Sequence, residues 1–395
     1  MKIMSNVNEG KIPFWRDSRI IKVIIQLLTI SIIILVFILL GNNLSQNFRQ
    51  LGLTFGFGFI FDPDLNSRFN IGDSPIPYQP TDPYYRAILV GLLNSLRVMI
   101  TGIILAFLLG VIIGLGRLSD NWLVQKIATI YVETIRNTPL LLQLFFWYFA
   151  VFLKFPKIDA PLVLFNSIFL SNQGVYLPFL LRNLQTFLAI LILLLGGITA
   201  FLIWRKKTKV IIQQGTTGKV YNIGLITILI LSFLIVFFGL DWQFPNYDSQ
   251  VQRIQNGLNL SPEFATLLTG LTIYTAAFIA EVVRSGIQSV SKGQWEAAKA
   301  LGLNSGLAMR LVIFPQALRV MIPPLTSEFL NLAKNSSLAV AIGYNDIYAV
   351  SNTISNQTGK SIEMLLIVMV TYLIFNLIIS SGMNRLNRFV QLKEK

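Results

Sequence analysis

Long apolar runs alternate with short polar stretches along the whole chain. A helix needs about 20 apolar residues to cross the hydrocarbon core of a bilayer. Eight segments approach that length: 20–41, 87–116, 127–153, 177–204, 221–240, 263–285, 312–342 and 362–383. Polar residues and proline interrupt the third and the seventh. The first run follows Lys11, Arg16, Arg19 and Lys22. It is longer than the apolar part of a secretory signal, about 7–15 residues, and no small-x-small cleavage site follows it, so a retained transmembrane helix is expected. The pattern as a whole predicts an all-α integral membrane protein with about eight transmembrane helices.

Composition agrees. Apolar residues make up 54% and charged residues 13% of the 395, where soluble domains carry about 25% charge. The net charge of +14 does not point to nucleic acid, because the basic residues cluster beside apolar runs, where they orient membrane proteins. With the N-terminus placed in the cytoplasm, the inner segments hold 20 Lys and Arg, the outer ones 7, and 5 lie within or at the edge of spans (Arg97, Arg136, Arg182, Arg319, Lys334). That bias predicts both termini on the cytoplasmic side. With no cysteine and no histidine, disulfides, haem, Cys/His metal sites and Cys or His catalysis are excluded; a carboxylate-only metal site stays open.

The first outer loop, 42–86, holds five prolines, Pro63, Pro75, Pro77, Pro80 and Pro83. Its stretch 51–61, rich in Gly and Phe, reads either as a re-entrant segment or as a folded surface loop. The faces Gly110-x-x-x-Gly114 and Ala276-x-x-x-Ala280 suit tight helix packing. Glu133/Arg136 and Glu281/Arg284 share an i, i+3 spacing near span ends, which favours structural ion pairs.

The loop between the sixth and seventh spans is the most informative segment. Ser291 and Gln294 form an S-x-x-Q capping box, and Gly302 suits the position just past a helix end. A helix over 292–301 is expected, about 15 Å long, too short to span and too polar for lipid. Ala297, Ala298 and Ala300 give it a small-residue surface that another protein can approach closely. A second helix is expected to start after Asn304 or Ser305 and to run into Pro315.

The pattern Glu296-Ala297-Ala298, then Gly302, then Val312, Phe314 and Pro315 resembles the signature of type I ABC importer permeases, with Phe314 where leucine is usual. The resemblance implies the type I ABC importer permease fold, with a five-helix core plus additional helices. It also implies that the loop 291–315 is a coupling helix docked in a cleft of a cytoplasmic ATPase, with Glu296, Ala297, Ala298, Gly302 and Pro315 as the coupling residues. Stretches 131–149, 270–294 and 314–339 are similar to the polar amino acid permeases, the histidine/arginine/glutamine group. Arg136-Asn137-Thr138-Pro139 stands where that group has Arg-Gly-Thr-Pro, and Lys334-Asn335-Ser336-Ser337-Leu338 where it has Lys-Asp-Thr-Ser-Leu. The long outer loop, the opening 42–60 and an inserted pair of spans resemble the large permease of general or neutral L-amino-acid import systems. The division expected is 1–86 (N-terminus, first helix and outer loop), 87–153 (first part of the core), 154–261 (insertion with two helices) and 262–395 (second part of the core).

What the resemblance implies for function is a permease subunit in the bacterial inner membrane that imports neutral or polar amino acids. Its partners would be two copies of an ATP-binding-cassette ATPase, a second, related permease and a periplasmic amino-acid-binding protein, with lipid around it and no nucleic acid. The chain itself would be no enzyme and carry no cofactor, ATP and Mg²⁺ belonging to the ATPase. Consistently, Gly359-Lys360-Ser361 lacks the first glycine of a phosphate-binding loop (Ile354 stands there), and Gly215 to Lys219 lacks the final Ser/Thr.

Polar residues inside a span mark pathways by default. Glu328, Asn331 and Asn335 fall on one helix face, just after Pro323 and Pro324, which are expected to break the helix and expose backbone groups. In this reading Glu328 takes a substrate ammonium, and Lys334, Asn335 or Ser336 takes its carboxylate. The alternative is an internal ion pair or hydrogen bonding between permease subunits. A secondary transporter, a membrane enzyme and a receptor are the rival classes; none of them needs the coupling loop.

Overall fold

The structure is a computed structural model that describes residues 18–50, 55–181, 183–214, 219–248, 250–251 and 253–391. Arg182, the stretch from Gly215 to Gly218, residues 51–54 of the Gly/Phe-rich segment and the basic residues Lys2, Lys11, Arg16, Lys393 and Lys395 lie outside the described residues. The chain divides into two units, 1–61 and 62–395. In the first, α1 (Ser18–Gln50) is one uninterrupted helix. Its apolar side chains are uncovered around the whole circumference, as suits a helix immersed in lipid.

The second unit is built on α2 (Tyr84–Gly116) and α7 (Pro262–Gln288). A Cβ on Gly110 would come within 2.6 Å of the Ile279 Cβ, and one on Gly114 within 2.8 Å of the Ala280 carbonyl oxygen. The small faces expected from sequence therefore meet each other, because lipid gives helices no hydrophobic reason to associate and close backbone approach must supply the attraction. Around this pair pack α10 (Phe314–Asn335), α11 (Ile347–Thr358) and α12 (Ser361–Val390). Leu267, Leu271, Ile279, Ile313 and Leu332 are fully buried in the shared core.

Among the described residues, seven helices are long and apolar enough to cross a membrane, not eight. The expected third span is two pieces, α3 (Trp122–Arg136) and α4 (Leu140–Phe145), the latter continuing through a wide turn over Phe146–Val151. Pro139 has no N–H to offer the Ile135 carbonyl and disfavours a helical Thr138 before it. Buried Gln143 repairs the gap: its Nε2 donates to the Ile135 and Thr138 carbonyls at 3.0 Å each. Conversely, Pro323 and Pro324 do not break α10, which runs through them. Their fixed φ is itself helical, so the helix continues at the cost of the missing donors and of crowding against the carbonyls one turn earlier. The irregular turns sit at the two ends instead, a wide one over Met309–Ile313 and a tight one over Ser336–Ile342.

The insertion carries α5 (Leu184–Gln214) and α6 (Lys219–Leu234), which pack on each other. It also carries strands that the apolar pattern does not announce. An antiparallel sheet orders β1 (Leu162–Leu164), β2 (Ile168–Ser171), β3 (Gly174–Leu177) and β8 (Leu258–Leu260), with β3 and β8 in register at Val175 and Leu260. Two further pairs join β4 (Phe179–Leu180) to β5 (Trp242–Gln243) and β6 (Asn246–Asp248) to β7 (Arg253–Gln255). Phe169, Tyr176 and Ile254 form a small core that ties the two halves of the insertion together.

At the same end as the start of α2 and α7, residues 62–83 fold as an ordered loop held by Asp73. Ser261 Oγ donates to Asp73 Oδ2 at 2.7 Å, Arg97 approaches to 3.5 Å, and Asn94 Nδ2 donates to the Asp73 carbonyl at 2.8 Å. Burial pushes the Asp73 carboxyl above its usual range, and Ser261 and Arg97 oppose the rise. Asp346, just before α11, accepts from Ala349 N at 2.8 Å as a helix cap and from Tyr372 Oη at 3.2 Å. Burial raises its carboxyl to about 7. A folded state that holds this proton more tightly is favoured below the ordinary carboxylate value, and the advantage is lost as pH rises through about 7. The melting temperature of the purified protein is therefore expected to fall by a few degrees between pH 5.5 and 8.5, about neutrality (about 7). In Asp346→Asn, which keeps a cap acceptor, that slope should flatten; an unchanged slope in a thermal-melt series would place the titrating group elsewhere.

Candidate functional site

The loop after α7 folds into α8 (Lys292–Ala300), close to its expected limits. Ser291 is the N-cap by position, yet its hydroxyl makes no cap bond, so the expected capping box does not form. The Gln294 N–H goes to the Ser291 carbonyl at 3.0 Å, and its side-chain Oε1 accepts from Gln316 Nε2 on α10 at 3.0 Å instead of reaching back. The other end of α8 is closed as expected. Gly302 takes φ +76°, its N–H bonds Lys299 O at 2.9 Å, and Leu303 N bonds Ala298 O at 3.1 Å. That pair of bonds is the glycine-closed helix ending that a side chain at this φ disfavours.

The faces of α8 are divided by contact. Trp295 packs on the main core and Ala298 is buried. Glu296, Ala297, Lys299 and Ala300 point outward, so Ala298 anchors the helix and does not belong to its outer surface. Leu301, beside Gly302, is 78% exposed, a large apolar side chain left open next to a polar helix. The chain then enters α9 (Ser305–Ala308), capped by Asn304 Oδ1 accepting from Leu307 N at 2.9 Å. It passes through the wide turn to Pro315 at the start of α10. Gln294 thus ties α8 to Gln316 of α10, and beyond the turn at 301–304 the helical path from α9 into α10 is continuous.

On α10 Glu328 is half-buried and hydrogen-bonds Asn331. Asn331 and Lys334 are exposed, and Asn335 is half-buried at the last position. Ser336 is buried, its hydroxyl donating to Ala333 O at 2.8 Å. Val320, Pro323, Pro324, Ser327, Asn331 and Lys334 form a strip that this chain leaves uncovered.

A charge cluster joins the ends of α2, α3 and α7. Glu281 on α7 pairs with Arg284 Nη2 at 2.5 Å, with Arg117 at the end of α2, and with Arg136 Nη1 at 3.9 Å. The Glu281/Arg284 spacing is legible in sequence; Arg117, from a helix more than 160 positions earlier, is not. Glu133 is exposed, and among the described residues no ion pair joins it to Arg136. Replacing Glu281 with Gln leaves half-buried guanidinium charge without its partner, a loss smaller than the about 3–5 kcal/mol of a fully buried pair because solvent screens part of it. Glu281→Gln is expected to reduce membrane abundance sharply and Arg284→Gln less so, since Arg117 still pairs; equal abundance of both variants with wild type, by quantitative immunoblot, would contradict this.

Apolar helices stacked on a small-residue seam, with a short capped helix tied to one of them, define a polytopic membrane transport subunit. Comparison with known sequences makes this specific. Residues 220–392 match the family model described as binding-protein-dependent transport system inner membrane component. A putative amino-acid ABC transporter permease of Escherichia coli is 42% identical over 90% of this chain and 90% of its own length. The general L-amino acid transport system permease AapQ of Rhizobium johnstonii is 40% identical over 96% of this chain and 94% of its own. The glutamate/glutamine/aspartate/asparagine transport system permease BztB of Rhodobacter capsulatus is 38% identical over 96% of each. The chain belongs to the family of binding-protein-dependent transport system inner membrane components, as one of its ABC transporter permeases, and is a transporter subunit, not an enzyme.

Proposed function

We propose that this chain is the permease of an ATP-driven importer that carries amino acids across the bacterial inner membrane. The relatives named above are amino-acid permeases matched over nearly their whole length. The observation that carries the mechanism is α8, a short closed helix that turns Glu296, Ala297, Lys299 and Leu301 outward while Trp295 and Gln294 bind it to the core and to α10. A partner ATPase seated on that outer face moves α10 when it closes on ATP. Pro315 stiffens the entry to α10, and Gly302 lets the chain reverse direction without strain.

The family membership supports the rest of the assembly, and geometry and charge are compatible with it. The uncovered strip on α10 supplies half of a pathway, so a second, related permease completes it, with two ATPases beneath and a periplasmic binding protein above. The excess of Lys and Arg in the segments expected on the side of α8 supports a cytoplasmic placement of that side and of both termini. Substrate passes along Glu328, Asn331 and Lys334, with half-buried Asn335 beyond them and Glu328 holding the amino group; Ser336, buried behind the strip, is left out of the path.

Gly302→Asp places a side chain at a positive φ and a carboxylate in the docking surface. Because it lies outside every span, the variant is expected to insert at normal abundance. It should lose stable attachment of the ATPase or the substrate-stimulated ATP hydrolysis of the complex. Pull-down and phosphate-release assays on the same preparation measure both; full ATPase binding together with full uptake would refute α8 as the coupling element.

A further inference from the structure

Helices α11 and α12 leave a cavity of about 290 Å³ between them, close to the lower bound of ordinary small-molecule sites, about 300 Å³. It lies at the end of the second unit opposite α8. The Tyr84 hydroxyl, at the start of α2, donates to Gln357 of α11 at 3.2 Å. Helix α8 follows the other end of α7, about 40 Å of helix away.

The two walls of the cavity differ in chemistry. Helix α11 contributes Ser351, Asn352, Ser355 and Asn356, two adjacent i, i+4 rows on one face. Helix α12 contributes Met364, Leu365 and Val368. Ser351 is 2% exposed, and its hydroxyl has no hydrogen-bond partner. The other hydroxyls of α11 are satisfied. Thr353 and Thr358 donate to the carbonyls four residues earlier, at 3.0 and 2.7 Å, and Ser355 donates to Ser361 of α12 at 2.8 Å. Ser351 makes no such bond and lines the cavity instead. A buried hydroxyl left in this state is costly, and a polar group bound in the cavity would relieve it.

No Asp, Glu, Lys or Arg lines the cavity. Its walls suit a short run of methylenes ending in a carboxamide or a hydroxyl. The stem lies on Met364, Leu365 and Val368, and the tip meets Ser351 and the polar row beside it. A carboxylate or ammonium tip would give up its hydration and find no opposite charge. The ionised groups that every amino acid carries stay at the rim, where Asn352 and Asn356 are exposed.

We infer that this cavity is an outer binding site for the uncharged polar side chain of an amino acid such as glutamine. It is separate from the uncovered strip on α10, none of whose residues lines it. This rests on the reading that the chain imports amino acids from the side of α11. The site favours neutral polar amino acids over acidic and basic ones before they reach the path.

The chain has no cysteine, so Asn356→Cys puts a single thiol at the rim. The measurement is the rate of maleimide labelling of that thiol in the purified permease–ATPase complex in nanodiscs, with L-glutamine or L-glutamate present. L-Glutamine is expected to slow labelling severalfold, and L-glutamate much less. Adding Ser351→Ala should raise the L-glutamine concentration needed by about three- to tenfold, the loss of one hydrogen bond. Adding Glu328→Gln should leave protection in place. Adding Asn352→Lys, which sets a cation in the wall, should reverse the preference in favour of L-glutamate. Absent protection, equal protection by both probes, or an unaltered preference in Asn352→Lys would overturn the inference and leave a cavity filled only by water. Protection that disappears with Glu328→Gln would overturn it too, since the thiol would then report on the path along α10. Should Asn356→Cys itself abolish protection, Ser361→Cys on the opposite wall decides by the same comparison. Uptake of L-glutamine by the wild-type system with its binding protein separates the two levels: uptake without protection removes this site alone, and no uptake of any amino acid removes the underlying reading as well.

Discussion

The seam between α2 and α7 is the contact on which the remainder of the second unit depends. Gly110 and Gly114 admit Ile279, Val283 and the carbonyls of Ala276 and Ala280 at distances where no Cβ fits. Lipid tails are as apolar as leucine, so helices gain little from hiding apolar side chains and must associate by shape. This seam brings Arg117 at the end of α2 against Glu281 on α7 and offers α3, α4 and α10 one common surface. Opening it by one methyl group would separate the charge cluster as well as the packing.

A second constraint is that backbone and charge inside the bilayer must find partners within the protein. The chain meets it by local repair. Gln143 covers the carbonyls freed at Pro139, Glu281 gathers arginines from three helices, and Asn94 bonds the Asp73 and Asn345 carbonyls at once. Each repair fixes one element against another. At α8 the corresponding ties are Trp295 against the core and Gln294 to Gln316 of α10.

Much of this architecture was legible in the sequence, for identifiable reasons. Transmembrane helices are long and apolar, so their positions follow from run length, and the division of charge between loops is a signal of its own. Helix α8 was readable because its end needs a residue at positive φ, and Gly302 is the cheapest way to supply one. The capping box was misjudged because Gln294 has two possible partners, and only the folded chain brings Gln316 within reach. Pro139 and Pro323 look alike in sequence, yet one ends a helix and the other does not, since packing on α7 and α12 holds α10 in place. The strands of the insertion are short and amid apolar surroundings, which masks their alternation. Their signal was in the turns: Phe165-Asn166, in the hairpin between β1 and β2, and Asn256-Gly257, where the chain passes from β7 to β8 of another sheet, all adopt positive φ. The meeting of Arg136, Arg117 and Glu281 joins distant positions, and local spacing does not encode it.

The central claim is that α8 is where a partner ATPase grips this chain. The chain contains no cysteine, so a single introduced thiol reports one position only. Lys299 points outward from α8, and Phe165, at the tip of the β1–β2 turn, is 90% exposed far from it in sequence. The direct measurement is thiol cross-linking in membranes of Lys299→Cys and Phe165→Cys, each co-expressed with the ATPase carrying cysteines around its membrane-facing cleft. The account predicts a permease–ATPase adduct for Lys299→Cys that changes in yield when ATP is added, and none for Phe165→Cys. A complex that still co-purifies yet gives no adduct at Lys299→Cys, with or without ATP, would contradict it.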